Sequence, residues 1–419
     1  MRPMTFSPWA GMSVNRGGAK RHSPVSCNPP LMRLLHYFDH NATAPMSPVA
    51  RQVWMDAALE LPGNPSSLHR IGSRADKALE DARQELASIL GCTPLDVVWT
   101  SSASESNNAI WYHLSQTLDP EKTVWVSAIE HPCCLDAARH WLGDRCRWIP
   151  VTTTGEVDVS WMEANLETQQ PGVVCVMAAN NETGILQPWE TLHAWCQSRG
   201  IAFFCDVAQW MGRLPAQGLG QVEWLSGCGH KHGGPKGVGF IKCPPKGRFT
   251  PLLLGGPQEM NRRAGTENVA GILSMVAALK DRESSMTSDT LEERAQWRND
   301  FENKVRRTLP GSRVLGECAK RLWNTSTLLM PEMDCRMRWV VKLDRKGFAV
   351  STGSACSSGQ EKPSHVMEAM GLTPNEAGRV VRFSAGWETT PTDWEGLHKA
   401  LMAVYQAAQR AEVAPKESR

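Results

Sequence analysis

Lys231 stands inside Ser226–Gly237, SGCGHKHGGPKG, a run rich in glycine. Glycines at 227, 229, 233, 234 and 237 permit positive φ and close approach of the backbone, so a bulky ligand could rest on main-chain amides. A lysine among small residues at a strand end suits Schiff-base chemistry, because partial desolvation lowers its pKa and frees the amine. The residue alone reads first as an ordinary solvated loop lysine, and only the rest of the chain turns it toward chemistry. Asp206 closes the apolar segment FFCD. A carboxylate at a dry strand end either pays a desolvation penalty or has a cationic partner, and a protonated pyridine nitrogen is such a partner. Ser102 and Glu105 have S-x-x-E spacing after the strand-like Val97–Thr100. A strand, a small-residue turn and a helix N-terminus form a phosphate seat, or simply a capped helix. An aspartate for the ring nitrogen, a lysine for the aldehyde and a helix end for the phosphate are together what pyridoxal 5'-phosphate requires. Cys356 lies in STGSACSSG between Gly353 and Gly359, either an inert loop thiol or a nucleophile on a mobile loop.

These residues need a scaffold that delivers them to one edge. Short apolar or β-branched runs at Thr123–Ser127, Val173–Ala178, Ile201–Asp206, Trp224–Ser226 and Val238–Ile241 alternate with helical stretches such as Trp189–Gln197. The alternation predicts an α/β domain on a largely parallel, buried sheet, with ligands at the carboxyl ends of its strands. Ser104, His131, Asn181, Asp206 and Gln209 all follow or close such runs. Helices are expected over Val49–Leu61, Arg74–Leu90, a long zone Val269–Leu309 and Asp393–Ala411, and strands at Val340–Leu343 and Val380–Ser384. Trp297, Phe301, Val305 and Leu309, four apart, predict one buried helical face leading to a second domain.

The chain of 419 residues exceeds what a single core usually supports, and a net charge of +2 with both signs interspersed gives no basic field for nucleic acid or membrane. No apolar run approaches the ~18 residues of a membrane helix. Thirteen cysteines without CxxC spacing point to a reducing compartment, here taken as the cytoplasm. Residues 1–35, without acids and interrupted by proline and glycine, are expected to form a disordered extension. His131 with Cys133 and Cys134, and His230 with His232, match no zinc spacing, so no metal is expected. Neither a Walker lysine nor a dinucleotide fingerprint supports a nucleotide-binding alternative.

The motifs YFDHNATAP, GNPSSLHRIGSRA, TSSASESNN, EHPCCLD, NNETG, DVAQ, GHKHGGPKG, RRAGTEN, STGSACSSG and VRFSAG occur in the order of one family. Over roughly Tyr37 to Met402 the chain resembles the class V aminotransferases, and among them the NifS/IscS type of cysteine desulfurase. The resemblance implies the fold type I of pyridoxal-phosphate transferases. That is a large domain (residues 48–285) with a mainly parallel seven-stranded sheet between helices, and a smaller α+β domain (36–47 and 286–419) carrying the cysteine loop. It implies Lys231 as the lysine joined to the cofactor, Asp206 at the pyridine nitrogen and His131 on the ring face. Asn181 and Gln209 would bond the phenolic oxygen, and Ala103, Ser104, Cys228, His230 and Thr266 would hold the phosphate, Thr266 reaching across a homodimer. Asn181 and Arg382 would bind the substrate carboxylate. L-Cysteine would yield L-alanine, with the sulfur received as a persulfide on Cys356 and passed to an acceptor protein, an iron–sulfur scaffold or a thiolation enzyme. A selenocysteine lyase, an aminotransferase or an inactive sulfur-trafficking subunit are the alternatives within the family. Three positions depart from its pattern: Cys228 replaces a common serine, Ser102 a glycine and Trp387 an arginine.

Overall fold

The computed structural model describes residues 36–244, 249–332, 336–352 and 364–413. Seven strands, β2 (Val97–Thr100), β3 (Val124–Ser127), β4 (Cys146–Ile149), β5 (Val173–Cys175), β6 (Ala202–Asp206), β7 (Trp224–Cys228) and β8 (Gly239–Lys242), follow the short β1 (His36–Tyr37) and form one sheet. Their order is β2-β8-β7-β6-β5-β3-β4, parallel throughout except for β8, which runs antiparallel to both neighbours. Because helices cover both faces, most strand residues are apolar, and successive side chains enter opposite cores. Phe203 and Cys205 of β6 pack with Val97, Trp99 and Leu225, whereas Phe204 packs with Val98, Ile110 and Trp111. The expected mainly parallel seven-stranded sheet is what the chain builds.

A three-stranded antiparallel sheet has the order β12-β10-β9, from β9 (Arg313–Val314), β10 (Thr325–Leu329) and β12 (Val380–Ser384); β11 (Phe348–Ala349) pairs in parallel with β1. Phe301, Val305 and Leu309 pack with Phe38, Phe383, Trp394 and Leu397, as their spacing predicts. Val340–Leu343 is not a strand. It lies within the helix Arg336–Asp344, where Trp339 and Leu343 are buried one turn apart and Val341 is 49% exposed. A short apolar run does not reveal its period. The long zone Val269–Leu309 is two helices, Val269–Ser285 and Ser288–Thr308, separated where Thr287 caps the second. The helix expected from Arg74 starts at Arg70, because His69 accepts from Gly72 N as its N-cap. No helix among the described residues is long and apolar enough to cross a membrane, and all ten described cysteines are free thiols.

One segment ties the two larger sheets together. After β1, Phe38 N donates to Ala349 O and His40 N to Ser384 O, and Ala44 N and Ser47 N then donate to His230 O and Gly233 O. Residues 38–47 therefore run from β12 to the loop of Lys231. Gly233 turns that loop with φ 95°, a conformation that disfavours any residue with a Cβ.

Candidate functional site

Parallel strands present their last residues at one edge, where the chain leaves the hydrogen-bond ladder and its side chains become free for other work. Asp206 ends β6 opposite Ser226 of β7. It is 5% exposed. Its carboxylate accepts from Ala208 N and from Asn107 Nδ2, both at 2.9 Å. Asn107, on the helix Ala103–Thr117, is completely buried, and its Oδ1 has no partner among the described residues. Sequence reading passed over Asn107, although it stands one turn beyond the helix start within TSSASESNN.

The start of that helix lies beside β7. Cys228 pairs with Gly239, Gly239 pairs with Thr100, and a Cβ on Gly239 would come within 2.7 Å of Ser102 C. The N-terminus can approach only because position 239 has no side chain. Ser102 Oγ caps it by accepting from Glu105 N at 3.1 Å. The reciprocal half of the expected capping box is displaced by one residue. Glu105 accepts from Ser101 N at 2.8 Å and from Arg263 Nε at 2.8 Å. Burial pushes the Cys228 thiol up to about 11, against the opposing charge of Lys231. Ala103 is half-buried, while Ser104 and Thr266 are exposed.

His131 caps the helix Pro132–Leu142, with Nδ1 accepting from Cys133 N at 3.2 Å. Cys133 Sγ lies 3.0 Å from the same nitrogen and accepts from Asn107 Nδ2 at 3.1 Å, which links His131 to the Asp206 cluster. Burial lowers the His131 pKa, with Asp206 opposing and Lys231 reinforcing. The imidazole is thus neutral near pH 7, and an acceptor role for Nδ1 places its proton on Nε2. His230 Nδ1 lies 3.2 Å from Thr43 Oγ1, and burial followed by the Lys231 charge depresses its pKa to about 3.

Lys231 Nζ donates to Asn41 O at 2.6 Å and to Ala42 O at 2.8 Å. Gln209 Nε2 reaches Asn41 O as well, at 3.0 Å, and leaves a buried Oε1 without a partner among the described residues. Arg382, 2% exposed on β12, donates through Nη1 to Asn181 O at 2.8 Å and through Nη2 to Asp39 at 2.7 Å. Its Nε has no partner among the described residues. Hydrogen bonds therefore gather the site into two groups, Asp206 and His131 joined through Asn107 and Cys133, and Lys231, Gln209, Asn181 and Arg382 joined through Asn41, while the charges of Asp206 and Lys231 act on both His131 and Cys228; neither Asn41 nor Asn107 was singled out from the sequence. Cys356 lies outside the described residues.

Beneath this edge the fold also assembles Glu130, Cys134 and Cys175, whose ligand atoms lie within 4.8 Å of one another, a grouping that spacing did not suggest. Burial raises the pKa of all three, which opposes the deprotonation that binding a cation requires.

The family model "Aminotransferase class-V" matches residues 36–397. The chain belongs to the class V aminotransferase family. It is 36% identical over 353 residues to a cysteine desulfurase of Klebsiella pneumoniae, covering 83% of this chain and 87% of that protein. It is 34% identical over 383 residues to the cysteine desulfurase NifS of Azotobacter vinelandii, covering 90% and 94%. Among solved structures, a NifS-like protein from Rickettsia africae superposes with a TM-score of 0.79 at 28% identity, over 88% of this chain and 99% of that one. These matches agree with the family and the fold type I architecture that the motifs imply.

Proposed function

We propose that this protein is a pyridoxal-phosphate-dependent cysteine desulfurase that converts L-cysteine to L-alanine and places the sulfur on Cys356 as a persulfide. The observation that carries the reading is the convergence of Lys231, Asp206 and a neutral His131 on one edge of the sheet. Two features fit the cofactor. A buried carboxylate at Asp206 suits a protonated ring nitrogen, and the orphaned Gln209 Oε1 is an acceptor waiting for a hydroxyl or amine donor. When bound, the cofactor supplies an electrophilic aldehyde and an electron sink.

The chain's own groups do the rest. Asp206 would hold the ring-nitrogen charge, and Asn107 keeps its carboxylate oriented. His131 would cover the ring, Asn181 and Gln209 would hold the ring oxygen, and Ala103, Ser104, Cys228, His230 and Thr266 would hold the phosphate, Thr266 from the second subunit of a homodimer. Arg382 takes the substrate carboxylate together with Asn181, which requires its guanidinium to share or leave Asp39. Lys231 Nζ carries the proton taken from the substrate Cα. Cys356 attacks the substrate sulfur as the thiolate, the C–S bond breaks, and protonation of the carbon gives alanine. A protein acceptor in the cytoplasm, a scaffold for iron–sulfur clusters or a thiolation enzyme, then receives the sulfur. The division into a large body (48–285) and a smaller one (36–47 and 286–419) is part of the same reading.

The test is to incubate the protein with pyridoxal phosphate and L-cysteine and to measure alanine and protein persulfide for wild type, Lys231→Ala and Cys356→Ser. Wild type should form both, Lys231→Ala neither, and Cys356→Ser no persulfide. Cofactor binding without alanine from cysteine would overturn the substrate assignment and point to selenocysteine or to amino-group transfer.

A further inference from the structure

Asn41 is 1% exposed and uses every polar group it has. Its N–H donates to Ser384 Oγ at 3.0 Å. Its Nδ2 donates to Thr325 Oγ1 at 2.9 Å and to Asn181 O at 3.2 Å, and its Oδ1 accepts from Asn324 Nδ2 at 3.2 Å. Its carbonyl accepts from both Lys231 Nζ and Gln209 Nε2. One buried amide thus joins the lysine and Gln209 to Asn181, whose carbonyl holds Arg382, and to Ser384, two residues along β12 from Arg382.

We propose that Asn41 is a positioning residue for Lys231: its side-chain amide fixes the Asn41 and Ala42 carbonyls as the seat of the lysine ammonium. The inference rests on Lys231 being the amine of the reaction proposed above. Two carbonyl oxygens accept hydrogen bonds well from the charged amine and poorly from the neutral one, so the seat favours the protonated state. A lysine joined to an aldehyde as an imine would keep at most one N–H and could not donate to both carbonyls. The seat therefore serves Lys231 after release, when Nζ carries the proton removed from the substrate. Since the same amide holds Asn181, and through it Arg382, binding of the substrate carboxylate is mechanically tied to the place that receives the lysine.

The experiment follows acetylation of Lys231 by acetic anhydride as a function of pH, read by mass spectrometry, in the full chain before pyridoxal phosphate is added. Wild type, Asn41→Ala and Thr325→Val are compared, the last deleting the hydroxyl that accepts from Asn41 Nδ2 and donates to Asn324 Oδ1. Both variants should still form the visible band of the lysine-bound cofactor once loaded. The acetylation midpoint of Lys231 should fall by about one pH unit in Asn41→Ala and by less in Thr325→Val, because the two main-chain carbonyls are no longer held in place against the charged form. In the loaded enzyme kcat should drop at least about tenfold, while KM for cysteine changes less. An unchanged Lys231 midpoint in whichever variant folds would overturn the proposal, even if its thermal stability falls. Failure of the desulfurase reading would appear separately, as a wild type that makes no alanine, and the Lys231 midpoint decides the positioning role in either case.

Discussion

Replacing Glu259 with glutamine removes a negative charge from a pocket in which both members of an ion pair are buried, with side-chain exposures of 3% for Arg83 and 2% for Glu259. Arg83 donates to Glu259 in a parallel fork, Nη1 to Oε2 at 2.9 Å and Nη2 to Oε1 at 2.8 Å. Trp99 N also donates to Oε2 at 2.9 Å, so the carboxylate is fastened to β2. The glutamate belongs to three consecutive non-glycine residues with left-handed φ, Glu259 at 50°, Met260 at 57° and Asn261 at 65°. Such residues cost about 1–2 kcal/mol each, or about 3–6 kcal/mol for the three. Breaking one side of a buried ion pair costs about 3–5 kcal/mol, the same order, so the pair is strong enough to hold the turn. At about 2 cal/mol/K of unfolding entropy per residue, a loss of that size lowers Tm by about 4–6 °C for a body of this length. Differential scanning fluorimetry of Glu259→Gln measures it. Met260→Gly, which relieves strain at a 50% exposed side chain, should be neutral or raise stability by up to about 1 kcal/mol. A Glu259→Gln protein melting within about 1 °C of wild type would refute the argument that this pair holds the turn leading to Arg263 and Thr266.

Three shorter expectations concern pH, substrate and thiols. Burial depresses the pKa of both His40 and His232 to about 4. Below pH ~6.5 the unfolded chain binds protons that these folded rings refuse until about pH 4, so stability is lost as pH falls through that window, by up to about 1.4 kcal/mol per pH unit for each ring. Tm measured from pH 7 to 4 should decline less steeply in His232→Gln; an identical decline would place the proton uptake elsewhere. Arg382→Lys keeps the charge and loses the planar fork, so KM for cysteine should rise about 10–100-fold, corresponding to about 1.5–3 kcal/mol for hydrogen bonds to a charged group. Steady-state kinetics with KM within about twofold of wild type would remove Arg382 from carboxylate binding. Among the described cysteines, maleimide at pH 7 should label the exposed Cys318 well before Cys133, whose thiol is held protonated by burial and by Asp206. Peptide mapping at short times reads the order directly.

The sheet was legible because buried parallel strands leave apolar runs of defined length, and the runs that end at Ser127, Asp206 and Ser226 show where the ligand edge lies. Strand β4 was missed since Arg147 and Trp148 stay half-exposed at the sheet's margin, which interrupts the apolar run. Motif residues were legible by their order along the chain. The amides that orient them were not, because Asn41 meets Lys231 across 190 positions and Asn107 meets Asp206 across 99. A buried asparagine looks in sequence like any turn or helix-surface residue, and only its satisfied or orphaned atoms distinguish it.

The departures from the family pattern show the same limit from the opposite side, for at two of them the structure supplies a local reason why the exchange is tolerated. Ser102, where glycine is common, has φ −175° and ψ 164°, extended backbone open to any residue, and its hydroxyl caps the helix that glycine would leave uncapped. Trp387, where arginine is common, donates Nε1 to Gly212 O at 2.8 Å and lies 4.9 Å from the Arg294 guanidinium carbon. The indole therefore keeps a donor at that position and accepts a cation on its face, with Trp323 packed edge-on at 5.0 Å. Cys228 differs from both. Its thiol is buried, protonated and a weaker donor than the serine it replaces, so this exchange alone takes a strong hydrogen bond away from the phosphate side of the proposed site. Cys228→Ser should accordingly tighten pyridoxal phosphate by several-fold, since a neutral-to-charged hydrogen bond is worth about 1.5–3 kcal/mol before the cost of burying the hydroxyl. Titration of cofactor-stripped protein measures the change, and an affinity equal to or weaker than that of wild type would mean that position 228 does not face the phosphate.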